Sequence, residues 1–371
     1  MGNTMGIIFS NIHDNDIPEL TARRTLGSIP FCGRYRLVDF ALSNMVNSEI
    51  TKVGVITKSN YQSLMDHIGS GKDWDLARRH GGLHILPPFG VQESASLYNT
   101  RLEALKNIIS FIMRSTEEYV VMTDTHHQTN IDYEQIVRRH IKLNADVTLV
   151  YSECDAKEMT SSVNIVLDTD ETERVRAISF SPKADGKVKL FANIFILKRS
   201  LLIAMINDAI SHNKHHFSSE MLAENVKSLK IYGYEHKGYM AKITSLKSYY
   251  DKSLELLSPD KMKEIFQNNN VFTKVRDSAP TKYGAGAVVK NSLIADGCVI
   301  EGTVENSILF RGVKVGRGAV IKNSILMQDT VVLEKSMLNC IITDKNVVIT
   351  DNRTLSGCDV NPFYIRKNAK L

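Results

Sequence analysis

Apolar residues in the first 250 positions follow two alternating rhythms. Short β-rich runs stand at Gly6–Phe9, Val53–Thr57, Tyr119–Met122, Val147–Tyr151 and Leu190–Leu197. Between them lie amphipathic segments. In Arg101–Arg114, Leu102, Leu105, Ile108, Ile109 and Ile112 form a stripe at helical spacing. Strands alternating with helices predict a mostly parallel, Rossmann-like sheet with helices on both faces. Ligands of such sheets sit beyond the carboxyl ends of the strands, so the turns after Phe9 and after Met122 are candidate site positions.

The pattern breaks after Glu255. Ser258-Pro259-Asp260, Asn268-Asn269-Asn270 and Ala279-Pro280 mark a linker with a short helix. From Lys282 the apolar period becomes six. Leu309, Val315, Ile321, Met327 and Leu333 form one series, and Val313, Ala319, Ile325, Val331 and Met337 a second. A step of six is not helical. It fits coils of three short strands, each turning one apolar side chain inward, which is the pattern of a left-handed parallel β-helix of hexapeptide repeats. The expected division is an α/β domain over 1–255, a linker over 256–281 and a β-helix over 282–371.

Composition narrows the function classes. The net charge is +5 and no block of Lys and Arg stands out, which argues against a nucleic-acid partner. Five scattered cysteines without a CxxC pair suit reduced thiols. No stretch reaches the roughly 20 apolar residues of a membrane span, and the N-terminus lacks the pattern of a secretion signal. A cytoplasmic protein is expected. His126-His127 offers no Cys or Glu partner at ligand spacing, so no metal site is expected there. Trp74 reads as a packing residue.

The block Ile29-Pro30-Phe31-Cys32-Gly33-Arg34-Tyr35-Arg36-Leu37-Val38-Asp39-Phe40, followed by Ala41-Leu42-Ser43-Asn44, resembles a signature of glucose-1-phosphate adenylyltransferases (ADP-glucose pyrophosphorylases). Gly54–Gly71, His84–Pro88 and Glu118–Asp124 resemble later segments of the same family. The resemblance implies a nucleotidyltransferase-like domain joined to a β-helix. It implies a reaction in which ATP and glucose 1-phosphate give ADP-glucose and pyrophosphate with Mg²⁺, for glycogen synthesis. Such phosphoryl chemistry rests on positioning and on charge stabilisation.

Position by position, the parts are missing. Where the family has a glycine-rich turn ending in Arg, this chain has Asn11-Ile12-His13-Asp14-Asn15-Asp16. Two carboxylates there repel a triphosphate. Leu26 replaces the lysine of the R-x-K-P motif, Thr100-Arg101-Leu102 replaces G-T-A, and Ser181 replaces the lysine of E-K-P. Lys183 lies two places on, out of register. Lys242 stands where the second Mg²⁺ acid belongs. Asp124 remains, and with Lys242 nearby it is expected to pair with that lysine. The chain therefore resembles the family's non-catalytic, GlgD-type subunits. These imply a hetero-oligomer, a tetramer by analogy, with a catalytic homologue that carries the Mg²⁺ requirement.

Arg23, Arg24 and Arg36 match cations that bind sugar-phosphate effectors in regulated members. Arg366 and Lys367 are expected to reach the same anion site. Asp39 reads as a structural tie for the Arg36 loop. Two other readings stay open: a weakly active nucleotidyltransferase, and a sugar-phosphate or nucleotide-sensing scaffold. A hexapeptide acyltransferase is disfavoured, because the last histidine, His236, precedes the repeats.

Overall fold

The structure, a computed structural model, describes residues 3–88, 98–159, 164–267 and 269–371. Asn268 of the expected linker lies outside the described residues. Strands β1 (Thr4–Phe9), β2 (Lys52–Ile56), β3 (Gly82–Leu86) and β4 (Tyr119–Asp124) form a parallel block in the order β3-β2-β1-β4. Beyond it come β5 (Val147–Asp155), β6 (Ile165–Thr169), β7 (Val175–Phe180), β8 (Lys187–Lys198) and β9 (Ile231–Glu235). The long β8 runs antiparallel to β4 and β5, and β9 lies parallel to β5.

The central strands are apolar on both sides because both faces are covered. Met5, Ile7 and Phe9 point to one face, where Leu102, Leu105, Ile112 and Leu202 of flanking helices close the core. Ile8 points the other way, onto Val38, Leu42, Met45 and Ile136. Burying each such side chain is worth about 1.5–3 kcal/mol. Phe9 stands opposite Ile56 on one side and Asp124 on the other. The carboxyl ends of β1, β2 and β4 therefore align, and the turns that follow them converge.

The C-terminal region is a coil of three five-stranded parallel sheets, a left-handed β-helix. Its corners are held by short polar side chains. The backbone N–H groups of Ser307, Ser324 and Ile341 donate to the Oγ atoms of Ser292, Ser307 and Ser324 in turn, at 3.0–3.1 Å. Asn291, Asn306 and Asn323 adopt positive φ at one such corner, a conformation that asparagine tolerates. The inward register departs from the expected six-step series. Successive coils pair Ile308 with Ile325 and Ile325 with Ile342, 17 positions apart, where three exact steps of six would give 18. After Ile321 the inward residues are Leu326, Val332 and Leu338. Met327 packs against the first domain instead, Leu333 is half-buried and Met337 is 51 % exposed.

Domain and coil share a core. Ile308, Phe310, Ile325, Met327 and Ile342 pack with Phe31, Phe40, Tyr249 and Ile265. Tyr249 Oη donates to the carbonyl of Pro30 at 2.8 Å, and Tyr250 Oη to that of Asn323 at 2.6 Å. A helix spans Pro259–Phe266 between the two parts. No helix among the described residues is long and apolar enough to cross a membrane.

Candidate functional site

The turn after β1 is a short 3₁₀ helix, Asp14–Asp16. The N–H of Asp14 donates to Asn11 O at 3.3 Å and that of Asp16 to His13 O at 3.1 Å. These two donors close the turn itself and are not presented to a ligand. The Asp14 carboxylate accepts from Leu26 N at 2.7 Å. Burial pushes its pKa up to about 7, against the pull of that hydrogen bond. Leu26 itself is buried in the core between domain and coil.

Asp124 ends β4 with its side chain fully buried. Its Oδ2 accepts a close hydrogen bond from Arg101 Nη2 and faces His13 Nε2 at 3.0 Å. His13 Nδ1 faces Asp16 Oδ2 at 3.0 Å. Asp16, His13, Asp124 and Arg101 thus form one hydrogen-bonded chain. Burial lowers the pKa of His13, but its hydrogen bonds to Asp124 and Asp16 outweigh that and raise it. Burial favours the neutral form of Asp124; the Arg101 charge and the His13 contact outweigh it and hold the carboxyl below its usual range. The guanidinium is clamped between the rings of Phe9 and Phe195, 5.2 and 4.9 Å from their centroids.

Asp124 does not pair with Lys242, contrary to the expectation. A partner with a fixed planar fork, held on the helix Arg101–Asn107, reaches it first. Lys242 Nζ donates to Asn164 Oδ1 at 2.8 Å, and burial pushes its pKa down to about 8. Ser181 joins the same corner through Asn164, its N–H donating to Asn164 O at 2.6 Å. A cavity of about 510 Å³ opens over His13, Asp16, Arg101, His126, Asn193 and Lys242. Lys183 is exposed and does not line it.

A family profile described as "Nucleotidyl transferase" matches residues 17–258, and one described as "GlmU-like, C-terminal hexapeptide" matches 278–361. The glycogen biosynthesis protein GlgD of Bacillus subtilis (strain 168) is 35% identical over 366 residues, 98% of this chain and 95% of that protein. A glucose-1-phosphate adenylyltransferase of Halalkalibacterium halodurans is 31% identical over 317 residues, 84% of this chain and 82% of that enzyme. The chain belongs to the glucose-1-phosphate adenylyltransferase family. A second GlgD, from Geobacillus stearothermophilus, is 36% identical over 317 residues, 85% of this chain and 82% of its own length.

The Mg²⁺ that this family implies does not fit the residues present. Mg²⁺ wants a near-octahedral set of oxygens. Asp124 Oδ2 is taken by Arg101 and His13, Asp16 Oδ2 by His13, and Lys242 brings a cation to the same cavity.

The residues expected at an anion site divide into two groups. Arg23 and Arg366 are exposed, Lys367 is half-buried, and all three line a groove of about 320 Å³ with Asp344 and Tyr364. Arg24 is not open to solvent: it is buried, and its Nη2 donates to both oxygens of Asp344 at 2.6 and 2.8 Å. Arg36 is buried too and donates to Ser63 Oγ at 3.1 Å. Asp39 accepts from Arg36 N at 3.0 Å and faces His67 Nε2 at 2.6 Å.

Sequence reasoning passed over Arg101, His13 and Lys345. Burial first, then the charges of Arg36, Arg24 and Arg276, push the Lys345 ammonium down to about 6. A long basic side chain within Thr100-Arg101-Leu102, where the resemblance implies small residues, was the one available signal for Arg101.

Proposed function

We propose that the chain is the regulatory, catalytically degenerate subunit of a glucose-1-phosphate adenylyltransferase assembly. That assembly makes ADP-glucose and pyrophosphate from ATP and glucose 1-phosphate in bacterial glycogen synthesis. The observation that carries this reading is the engagement of Asp124. An acid needed for metal-assisted nucleotidyl transfer is held by Arg101 and His13. The losses at Asp16, Leu26, Ser181 and Lys242 support it. The chain works in the cytoplasm in a hetero-oligomer, a mixed tetramer, with a catalytic homologue that uses Mg²⁺. A sugar-phosphate effector binds at the groove of Arg23, Arg366 and Lys367, with Arg24 behind it holding the lining residue Asp344.

The test is ADP-glucose synthesis from ATP and glucose 1-phosphate with Mg²⁺, by this chain alone and mixed with its catalytic homologue. The expected result is no turnover alone and a changed rate or effector response in the mixture. Robust turnover by the chain alone would overturn the reading.

A further inference from the structure

We propose that Arg101 is the resident cation of the site, and that it keeps shut a transition-metal centre which His13, Asp124 and His126 would otherwise form. The inference stands on geometry and holds whether or not the chain regulates a partner.

One ligand atom from each of the three residues lies within 4.8 Å of the others. His13 Nε2 is 3.0 Å and His126 Nδ1 is 3.6 Å from Asp124 Oδ2. Metal bonds of about 2.0–2.1 Å place neighbouring ligand atoms about 2.8–3.4 Å apart, from right-angled to tetrahedral geometry, so His13 already stands at that spacing and His126 has only a small distance to close. Two imidazoles and one carboxylate suit Zn²⁺, Co²⁺ or Ni²⁺ and not Mg²⁺. Among the described residues, Asp124 Oδ1 and His126 Nδ1 are buried without a hydrogen-bond partner. Asp16 sits on His13 Nδ1 at 3.0 Å, the position from which a carboxylate orients a metal-binding imidazole and leaves Nε2 for the metal.

Arg101 closes this centre in two ways. Its Nη2 occupies Asp124 Oδ2 and neutralises the carboxylate that would bind a dication directly. The same Nη2 holds Asn193 Oδ1 at 3.3 Å, which turns the Asn193 amide nitrogen toward His126 Nε2 at 3.2 Å. With Nε2 accepting, a neutral His126 carries its proton on Nδ1, the atom that faces Asp124. Without Arg101 the Asn193 amide is free to turn over, accept from Nε2–H and leave the Nδ1 lone pair for a metal. The site is thereby held assembled by a protein cation, with no requirement for metal.

The experiment is a Co²⁺ titration of the full chain, read by the visible spectrum of the ion and by calorimetry. The native chain is expected to show no imidazole-ligated Co²⁺ spectrum. Arg101→Met is expected to bind Co²⁺ about 10–100-fold more tightly, a span typical of losing or gaining support around a metal. Adding His126→Ala to Arg101→Met should abolish the gain. Arg101→Gln, which still donates to Asp124 but carries no charge, replaces Arg101→Met if that variant does not fold. A native chain that already gives the His-ligated spectrum would overturn the proposal, as would a folded variant that binds no more Co²⁺ than the native chain.

Discussion

Arg24 and Asp344 meet across 320 positions of sequence, with both carboxylate oxygens within 2.8 Å of Arg24 Nη2 and both side chains buried. Tyr364 Oη donates to the same carboxylate at 3.1 Å. This pair sits between the α/β domain and the coil, so its loss is felt by both.

Removing one partner leaves a buried charge uncompensated. Arg24→Met is expected to cost about 3–5 kcal/mol, and Asp344→Leu a similar amount. The double variant should recover much of the loss, because an apolar pair leaves no orphaned charge. The midpoint and slope of denaturant unfolding for the four proteins check this; additive losses would show that the two side chains do not act as a pair.

The two domain types were legible because their periods differ. A strand–helix alternation and a six-step apolar repeat cannot be confused. The register inside the coil was not legible. A repeat of six implies 18 residues per turn, while the pairing Ile308–Ile325–Ile342 closes at 17. Each of these two steps moves the inward position back by one, and on the neighbouring sheet Ile321 pairs with Leu338 in the same way, which is how Met337 comes to face solvent and Leu338 the interior.

That shift has a direct test. Leu338→Ala should cost about 2–5 kcal/mol through the cavity it leaves. Met337→Lys should stay within about 0.5 kcal/mol of the native chain, as surface changes do. The reverse order of effects, read by thermal unfolding, would restore the strict six-residue register.

The candidate site was half legible. Single residues of the cavity were open to reading from the sequence: Asp16 in the turn after β1 and Lys242 both line it. What replaces the lost interactions could not be read. Arg101 reaches Asp124 only because the helix that begins at Arg101 packs beside the end of β4, with Phe9 of β1 and Phe195 of β8 flanking the guanidinium.

Asp14 gives the turn after β1 a pH dependence. Burial raises its carboxyl from 3.8 to about 7. The folded chain therefore holds this proton more tightly than the unfolded chain does, and stability falls as pH rises between those values, then levels. Asp14→Asn keeps an acceptor for Leu26 N and carries no charge. Its melting temperature should match the native value near pH 4 and exceed it increasingly up to about pH 7, with a constant gap above. Parallel curves over this range would show that Asp14 is not the titrating group.

Lys345 supplies the corresponding test for the groove of Arg23, Arg366 and Lys367 as the proposed effector site. It follows Asp344, which lines the groove, and its ammonium is pushed down to about 6 by burial and by Arg36, Arg24 and Arg276. A phosphate dianion bound nearby favours the charged form and raises that pKa. Between the free and bound values, binding must take up a proton, so affinity weakens as pH rises above about 6. Calorimetry with glucose 6-phosphate in two buffers of different ionisation enthalpy measures the uptake directly. The native chain should take up a fraction of a proton near neutral pH, and Lys345→Met should bind more weakly with that uptake removed. Arg366→Ala should weaken binding while leaving the uptake in place, because Arg366 stays charged throughout. Equal heats in both buffers for the native chain would separate Lys345 from the groove and leave Arg23, Arg366 and Lys367 as its only cations.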